Sequence, residues 1–134
     1  MPYYSAPTTY ETHRDILVSQ NGLVVASYTV DADYVTEQTL ADGTTRKVAW
    51  EGTVMGLDPS NSQAVPNYTT YGFAALGVLL QSVDVQDGNQ VAPVVFRGDV
   101  AEEYCYDNGV FGTVLSATKN TLADRIQFTK KSRL

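Results

Sequence analysis

The sequence predicts a mainly β protein: a compact, β-rich single domain of β-barrel type, with one short C-terminal helix and an extended N-terminal arm. Three observations carry this. Short runs rich in Val, Thr and Tyr alternate with a period of two and are punctuated by Asn-Gly and Asp-Gly pairs, as expected of strands joined by tight turns. Only one stretch, residues 113–124, has the spacing of an amphipathic helix. The length, 134 residues with 43% hydrophobic types, suffices for one sizeable core.

Residues 1–12 hold Pro2, Pro7, Ser5, Thr8 and Thr9 with Tyr3, Tyr4 and Tyr10, and show no helical periodicity. They read as an extended arm, followed by a β-rich domain over 13–128 and a basic tail over 129–134. Within 15–30, two β-rich runs flank Asn21-Gly22, a pair that tolerates the positive φ angles of a two-residue turn, and a hairpin is expected there. Val24, Ala26, Tyr28 and Val30 alternate with Ser27 and Thr29, which places one face of the second strand in a core.

A second hairpin is expected at Asp42-Gly43, between runs 34–40 and 44–50. Residues 52–56 form a short apolar strand bracketed by Gly52 and Gly56, and 58–71, rich in Ser, Asn, Pro and Thr, reads as a loop. Residues 71–85 are long enough for a helix, but two glycines and a β-branched end favour a buried strand. A turn over 86–90 leads to a strand over 91–97. Pro93 removes a ladder donor and is expected at a sheet edge or a bulge. Alternation continues over 98–106, Asp107-Asn108-Gly109 is a turn, and the helix over 113–124 has Val114, Leu115, Leu122 and Ala123 for its apolar face. Residues 126–128 close the domain as a short strand.

The formal charge is −6 and unevenly laid out. From residue 119 onward Lys119, Arg125, Lys130, Lys131 and Arg133 face only Asp124, about +4, which leaves about −10 on the rest. An acidic body argues against nucleic acid as partner, since that affinity comes from Lys and Arg neutralising phosphates. The longest apolar run, 73–80, is far too short to span a membrane. The N-terminus lacks a basic start and apolar stretch of the secretory kind, so the chain is expected to be made and kept in the cytoplasm of its producing cell. A basic tail on an acidic body is either a solvating segment or a contact with an acidic neighbour.

Candidate chemistry is sparse, and the chain is expected to be no enzyme and to need no cofactor. His13 is the single histidine and Cys105 the single cysteine, which argues against a multi-histidine metal centre and a thiol cage. No nucleophile-elbow motif gives His13 and Asp15 a serine to activate. Cys105, between Tyr104 and Tyr106, has no basic cluster to stabilise a thiolate and reads as a small buried hydrophobe. Glu102 and Glu103 would face opposite sides of a strand. Asp31 and Asp33 share a side, but no calcium-loop pattern follows them. Residues 52–56 lack the Lys-Ser/Thr of a phosphate loop.

Read together, residues 46–56 with their Gly52-Thr53-Val54-Met55-Gly56 run, the polar loop after them, 72–80 leading into Val83-Asp84-Val85, and 92–98 ending in Gly98 form an ordered set. Over about 44–106 the chain resembles the head-decoration, or capsid cement, proteins of tailed bacteriophages, of the lambda type. The N-terminal run 15–30 and the basic tail depart from that pattern.

The resemblance implies a β-tulip-like structural protein on the outer surface of the expanded head, made in the host cytoplasm and bound as a homotrimer at three-fold and quasi-three-fold positions. Its partners would be the major capsid protein and other copies of itself. It also implies an N-terminal arm that pairs with a capsid strand. Tyr3, Tyr4 and Tyr10 are then candidate anchors, and Lys130, Lys131 and Arg133 candidate contacts with acidic capsid or subunit residues. Two other readings compete: another virion part such as a head-fibre base, neck or tail-tube subunit, and a carbohydrate-binding module using Trp50, Tyr68 and Tyr71.

Overall fold

Runs of β-branched residues suit the pleated, half-buried surface of a sheet, and strands make up about half of the described residues. The computed structural model describes residues 16–129. In order, the strands are β1 (Leu17–Val30), β2 (Glu37–Thr39), β3 (Thr45–Ala49), β4 (Val54–Asp58), β5 (Gln63–Val65), β6 (Ala74–Leu79), β7 (Val83–Asp84), β8 (Gln90–Ala101), β9 (Tyr106–Asp107), β10 (Val110–Phe111) and β11 (Ile126–Thr129). The helix α1 (Ser116–Leu122) precedes the last strand, and 3-10 turns lie at Ala32–Tyr34, Tyr68–Tyr71 and Glu102–Tyr104.

Strands β1, β5, β4, β6 and β8 are hydrogen-bonded in that order, and β8 pairs back onto β1, closing a five-stranded barrel. The protein is therefore mainly β with a barrel and one described helix, as the sequence predicts. The β1–β8 seam is the long one, running antiparallel from Leu17 opposite Val100 to Val30 opposite Gln90. The β1–β5 seam is parallel and short: Val30 sits opposite Ala64, and the Asp31 amide donates to the Ala64 carbonyl at 3.1 Å. Strand β11 lies parallel to β8, with Ile126 opposite Gly98 and Thr129 opposite Ala101. Strands β2, β3 and β7 make a small separate sheet, and β9 and β10 a two-stranded ribbon.

Consecutive residues of the barrel strands are buried, not alternate ones. Val54 and Met55, Val78 and Leu79, and Val94 and Val95 are each 0% exposed. Met55, Leu79 and Val94 join Val30, Val85 and Ala92 in one cluster. Val54, Val78 and Val95 point the other way and pack with Val100, Leu122 and Ile126, so α1 and β11 cover that face. A strand covered on both faces reads as a continuous apolar run, which is why 73–80 carries no period of two.

Several expectations change. Asn21-Gly22 does not reverse the chain, because β1 runs through it. Between Ser19 and Val24 β1 advances five residues while β8 steps only from Asp99 to Arg97, and the surplus is absorbed in a bulge with Gly22 at φ 71°. The two-residue hairpin forms instead at Asn108-Gly109, where φ is 51° and 88° and Asp107 faces Val110. The Asp42-Gly43 hairpin forms as expected, with Leu40 and Thr44 bonded across it and Asp42 Oδ1 accepting from the Thr44 amide at 3.0 Å.

The span 58–71 is more than a loop: it contains β5, a staple of the barrel, and a 3-10 turn whose Tyr68 hydroxyl lies 2.6 Å from Thr118 Oγ1. Pro93 lies on an interior strand, neither at an edge nor in a bulge. Its carbonyl accepts from the Leu80 amide at 2.9 Å, and β6 ends at Leu79. In an antiparallel pair the two residues exchange both bonds, so the missing Pro93 N–H falls where the β6 ladder stops. The helix is shorter than 113–124. Val114 and Leu122 are buried, whereas Leu115 is exposed.

Candidate functional site

The contact residues expected from the sequence, Tyr3, Tyr4, Tyr10, Lys130, Lys131 and Arg133, lie outside the described residues, as does His13. What is described is how the chain meets those segments. The Ala101 amide donates to the Ile16 carbonyl at 2.7 Å, and Thr129 stands opposite Ala101 on the other flank of β8. The first and last described residues, Ile16 and Thr129, thus flank the C-terminal end of one strand, β8.

That end is acidic and firmly built. Glu102, 4% exposed, accepts from the Val114 amide at 2.9 Å and pairs with Lys119 Nζ at 2.9 Å. Asp107, 0% exposed, accepts from the Leu115 amide at 2.8 Å and from Asn108 Nδ2 at 2.7 Å. Two buried carboxylates therefore fix the approach to α1 by serving amides that precede the helix, the same service a capping side chain gives. Sequence reading passed over this pairing because its members are 8 and 12 residues apart, too far for any helix or strand period.

Cys105 lies between these carboxylates, 0% exposed. Burial foremost, then the charges of Glu102 and Asp107, push its thiol up to about 12 from an ordinary 9.0. The fold keeps it neutral, consistent with the small hydrophobe the sequence predicts. A thiol-specific reagent at pH 8 is expected to leave the native protein unmodified and to label it fully in denaturant; native labelling at the denatured rate would overturn the assignment. The raised pKa also has a sign. Below pH 9 the thiol is neutral folded or unfolded, and between pH 9 and about 12 only the unfolded chain ionises, so stability falls across that window.

A second feature lies between the β2–β3 hairpin and the β9–β10 ribbon: a cleft of about 280 Å³. Val35, Gln38 and Trp50 line one side, and Pro66, Asn67 and Tyr106 the other. Trp50 Nε1 donates to Gln38 Oε1 at 2.8 Å, which orients the indole, and Thr53 Oγ1 donates to the Trp50 main-chain carbonyl at 2.7 Å, which fixes the backbone beneath it. The Tyr106 amide donates to the Gly52 carbonyl at 2.9 Å, and its ring lies 4.6 Å from that of Phe111. Sequence reading picked out Trp50 but not Tyr106, and had no means of bringing the two to one cleft, since that depends on the barrel.

The remaining candidates separate. Trp50, Tyr68 and Tyr71 do not converge on one face. Tyr68 is buried beneath α1, and Tyr71 meets Tyr34 edge-to-face at 4.6 Å between centroids and lies tilted against Phe73 at 5.9 Å. Asp31 Oδ1 accepts from the Asp33 amide at 3.0 Å, starting the turn at Ala32–Tyr34. Among the described residues no group of three His, Cys, Asp or Glu could hold a metal ion, and no helix is long and apolar enough to cross a membrane. In comparisons with known proteins the chain matches no family model, no curated protein and no solved structure.

Proposed function

We propose that the protein is a structural part of a tailed-bacteriophage virion, a head-decoration protein that binds the exterior of the expanded head and reinforces it against the pressure of packaged DNA. It binds as a trimer at three-fold and quasi-three-fold positions, with the major capsid protein as partner. The observation that carries this reading is the shared attachment of both terminal segments beside Ala101. It gives each copy one end from which a tyrosine-bearing arm and a basic tail reach the same neighbour.

The physics is that of additive contact. An arm with Pro, Thr and Tyr and few charges can add to an exposed sheet edge through main-chain hydrogen bonds. Lys130, Lys131 and Arg133 add charge attraction to acidic residues of the capsid or of an adjoining copy. In a trimer, the first arm to dock raises the effective concentration of the others, so weak contacts sum to high avidity. A ligand that binds only the expanded shell then stabilises it by mass action.

Purified protein mixed with isolated heads before and after expansion checks this. Saturable binding to expanded heads alone is expected, and deletion of residues 1–12 should weaken it by about tenfold or more while leaving the far-ultraviolet circular dichroism unchanged. Equal binding to both forms, or to neither, would remove the proposal. Rings or filaments formed by the protein alone would favour a neck or tail-tube part instead.

A further inference from the structure

The cleft beneath Trp50 is uncharged in an acidic chain. Residues 16–129 carry thirteen Asp and Glu against five Lys and Arg, yet none of the residues lining the cleft is charged. Its walls offer an indole, a phenol ring and a proline ring, with the amides of Gln38 and Asn67 at the margin. Aromatic-walled grooves of this kind take extended, proline-containing segments. Such segments lose little entropy on docking, and their rings and carbonyls meet flat apolar walls and side-chain donors.

We propose that this cleft is the docking site of the chain's own residues 2–10. That segment matches it in chemistry: Pro2, Tyr3, Tyr4, Pro7 and Tyr10 supply the rings, and no side chain from Pro2 to Tyr10 is charged. It also matches in reach. The Ile16 carbonyl is bonded to the Ala101 amide, and Tyr106, on the cleft wall, follows Ala101 by five residues, at most about 18 Å of chain. The six residues back from Ile16 to Tyr10 span up to about 20 Å when extended. The arm therefore reaches the cleft of its own barrel without strain. The docking is intramolecular and spares the cost of bringing two molecules together. It holds the tyrosines out of water until a better partner competes for them, so the cleft and that partner bind the arm alternately.

Trp50 is the single tryptophan, which makes the cleft its own reporter. The test uses acrylamide quenching of its fluorescence in the full-length protein, in a Tyr3→Ser, Tyr4→Ser, Tyr10→Ser variant, and in Thr36→Lys, which places a charge at the exposed rim of the cleft. Both variants are expected to raise the quenching constant about two-fold, as an aromatic cover is lost, with unchanged circular dichroism. A peptide of residues 1–12 added to the arm variant should restore the shielding, whereas the same peptide with its tyrosines replaced by serine should not.

Equal quenching in the wild type and the arm variant would overturn the proposal. So would wild-type shielding that disappears on dilution, which would assign the cleft to the arm of a second copy. The measurement uses no capsid, so its failure leaves the head-binding reading standing, and failure to bind heads leaves this one standing.

Discussion

Gly77→Ala is expected to cost the barrel about 3 kcal/mol or more, a large share of the roughly 5–15 kcal/mol that holds a domain of this size together. Gly77 lies in β6 opposite Met55, one residue past a bulge where Leu76 is the extra member between Gly77 and Ala75. A β-carbon there would run into the backbone carbonyl oxygen of Val95 and come within 3.0 Å of Val94 Cγ1. A backbone oxygen cannot rotate away as a side chain can. Relief requires β6 and β8 to part, which breaks the pairing of Val78 with Val95 in one buried cluster and of Leu79 with Val94 in the other. Gly43→Ala is the control. It has a positive φ of 86° but open space around it, so only backbone strain of about 1–2 kcal/mol applies. Urea unfolding followed by circular dichroism separates the two, and a Gly77→Ala midpoint no lower than that of Gly43→Ala would refute the account.

Glu102→Ala should destabilise by about 2–3 kcal/mol. The substitution strands the Val114 amide without its acceptor and takes from Lys119 a partner 2.9 Å away. Glu102→Gln should cost about half as much, because an amide oxygen still accepts from Val114 while the charge is gone. Lys119→Ala should cost about 1 kcal/mol or less, since the lysine side chain is 41% exposed and its pairing is screened. If Glu102→Ala and Lys119→Ala prove equal in a denaturation series, the ion pair and not the amide bond is the main contribution.

How much of this was legible beforehand depends on the range of each interaction. Residues 71–85 could be assigned to strand because two glycines and a β-branched end are local facts, and the Asp42-Gly43 hairpin because its turn is built from neighbours. The two Asn-Gly pairs show where local reading stops. Both reach positive φ at glycine, but Asn108-Gly109 is flanked by short strands free to fold together, whereas Gly22 is spanned by β8, some 70 residues away. The same remoteness hid β5 within a polar stretch and placed Pro93 in an interior strand, since each depends on where a partner strand ends. At the candidate site, the buried role of Cys105 was readable from its neighbours. Glu102 and the walls of the Trp50 cleft were not, because they are assembled across the closed barrel. The arm and tail residues were chosen by composition and lie outside the described residues.

The long β1–β8 seam has a consequence for how the protein is made. β1 is complete once residue 30 has been synthesised, but its antiparallel partner ends at Ala101. At roughly 5–20 residues per second, β1 waits about 4–14 s for the strand that covers it. Throughout that interval Val24, Val25 and Val30 stand on an unpaired edge. The first strand translated is among the last to be satisfied, so the ribosome-bound chain carries an exposed strand edge well before its longest seam can form.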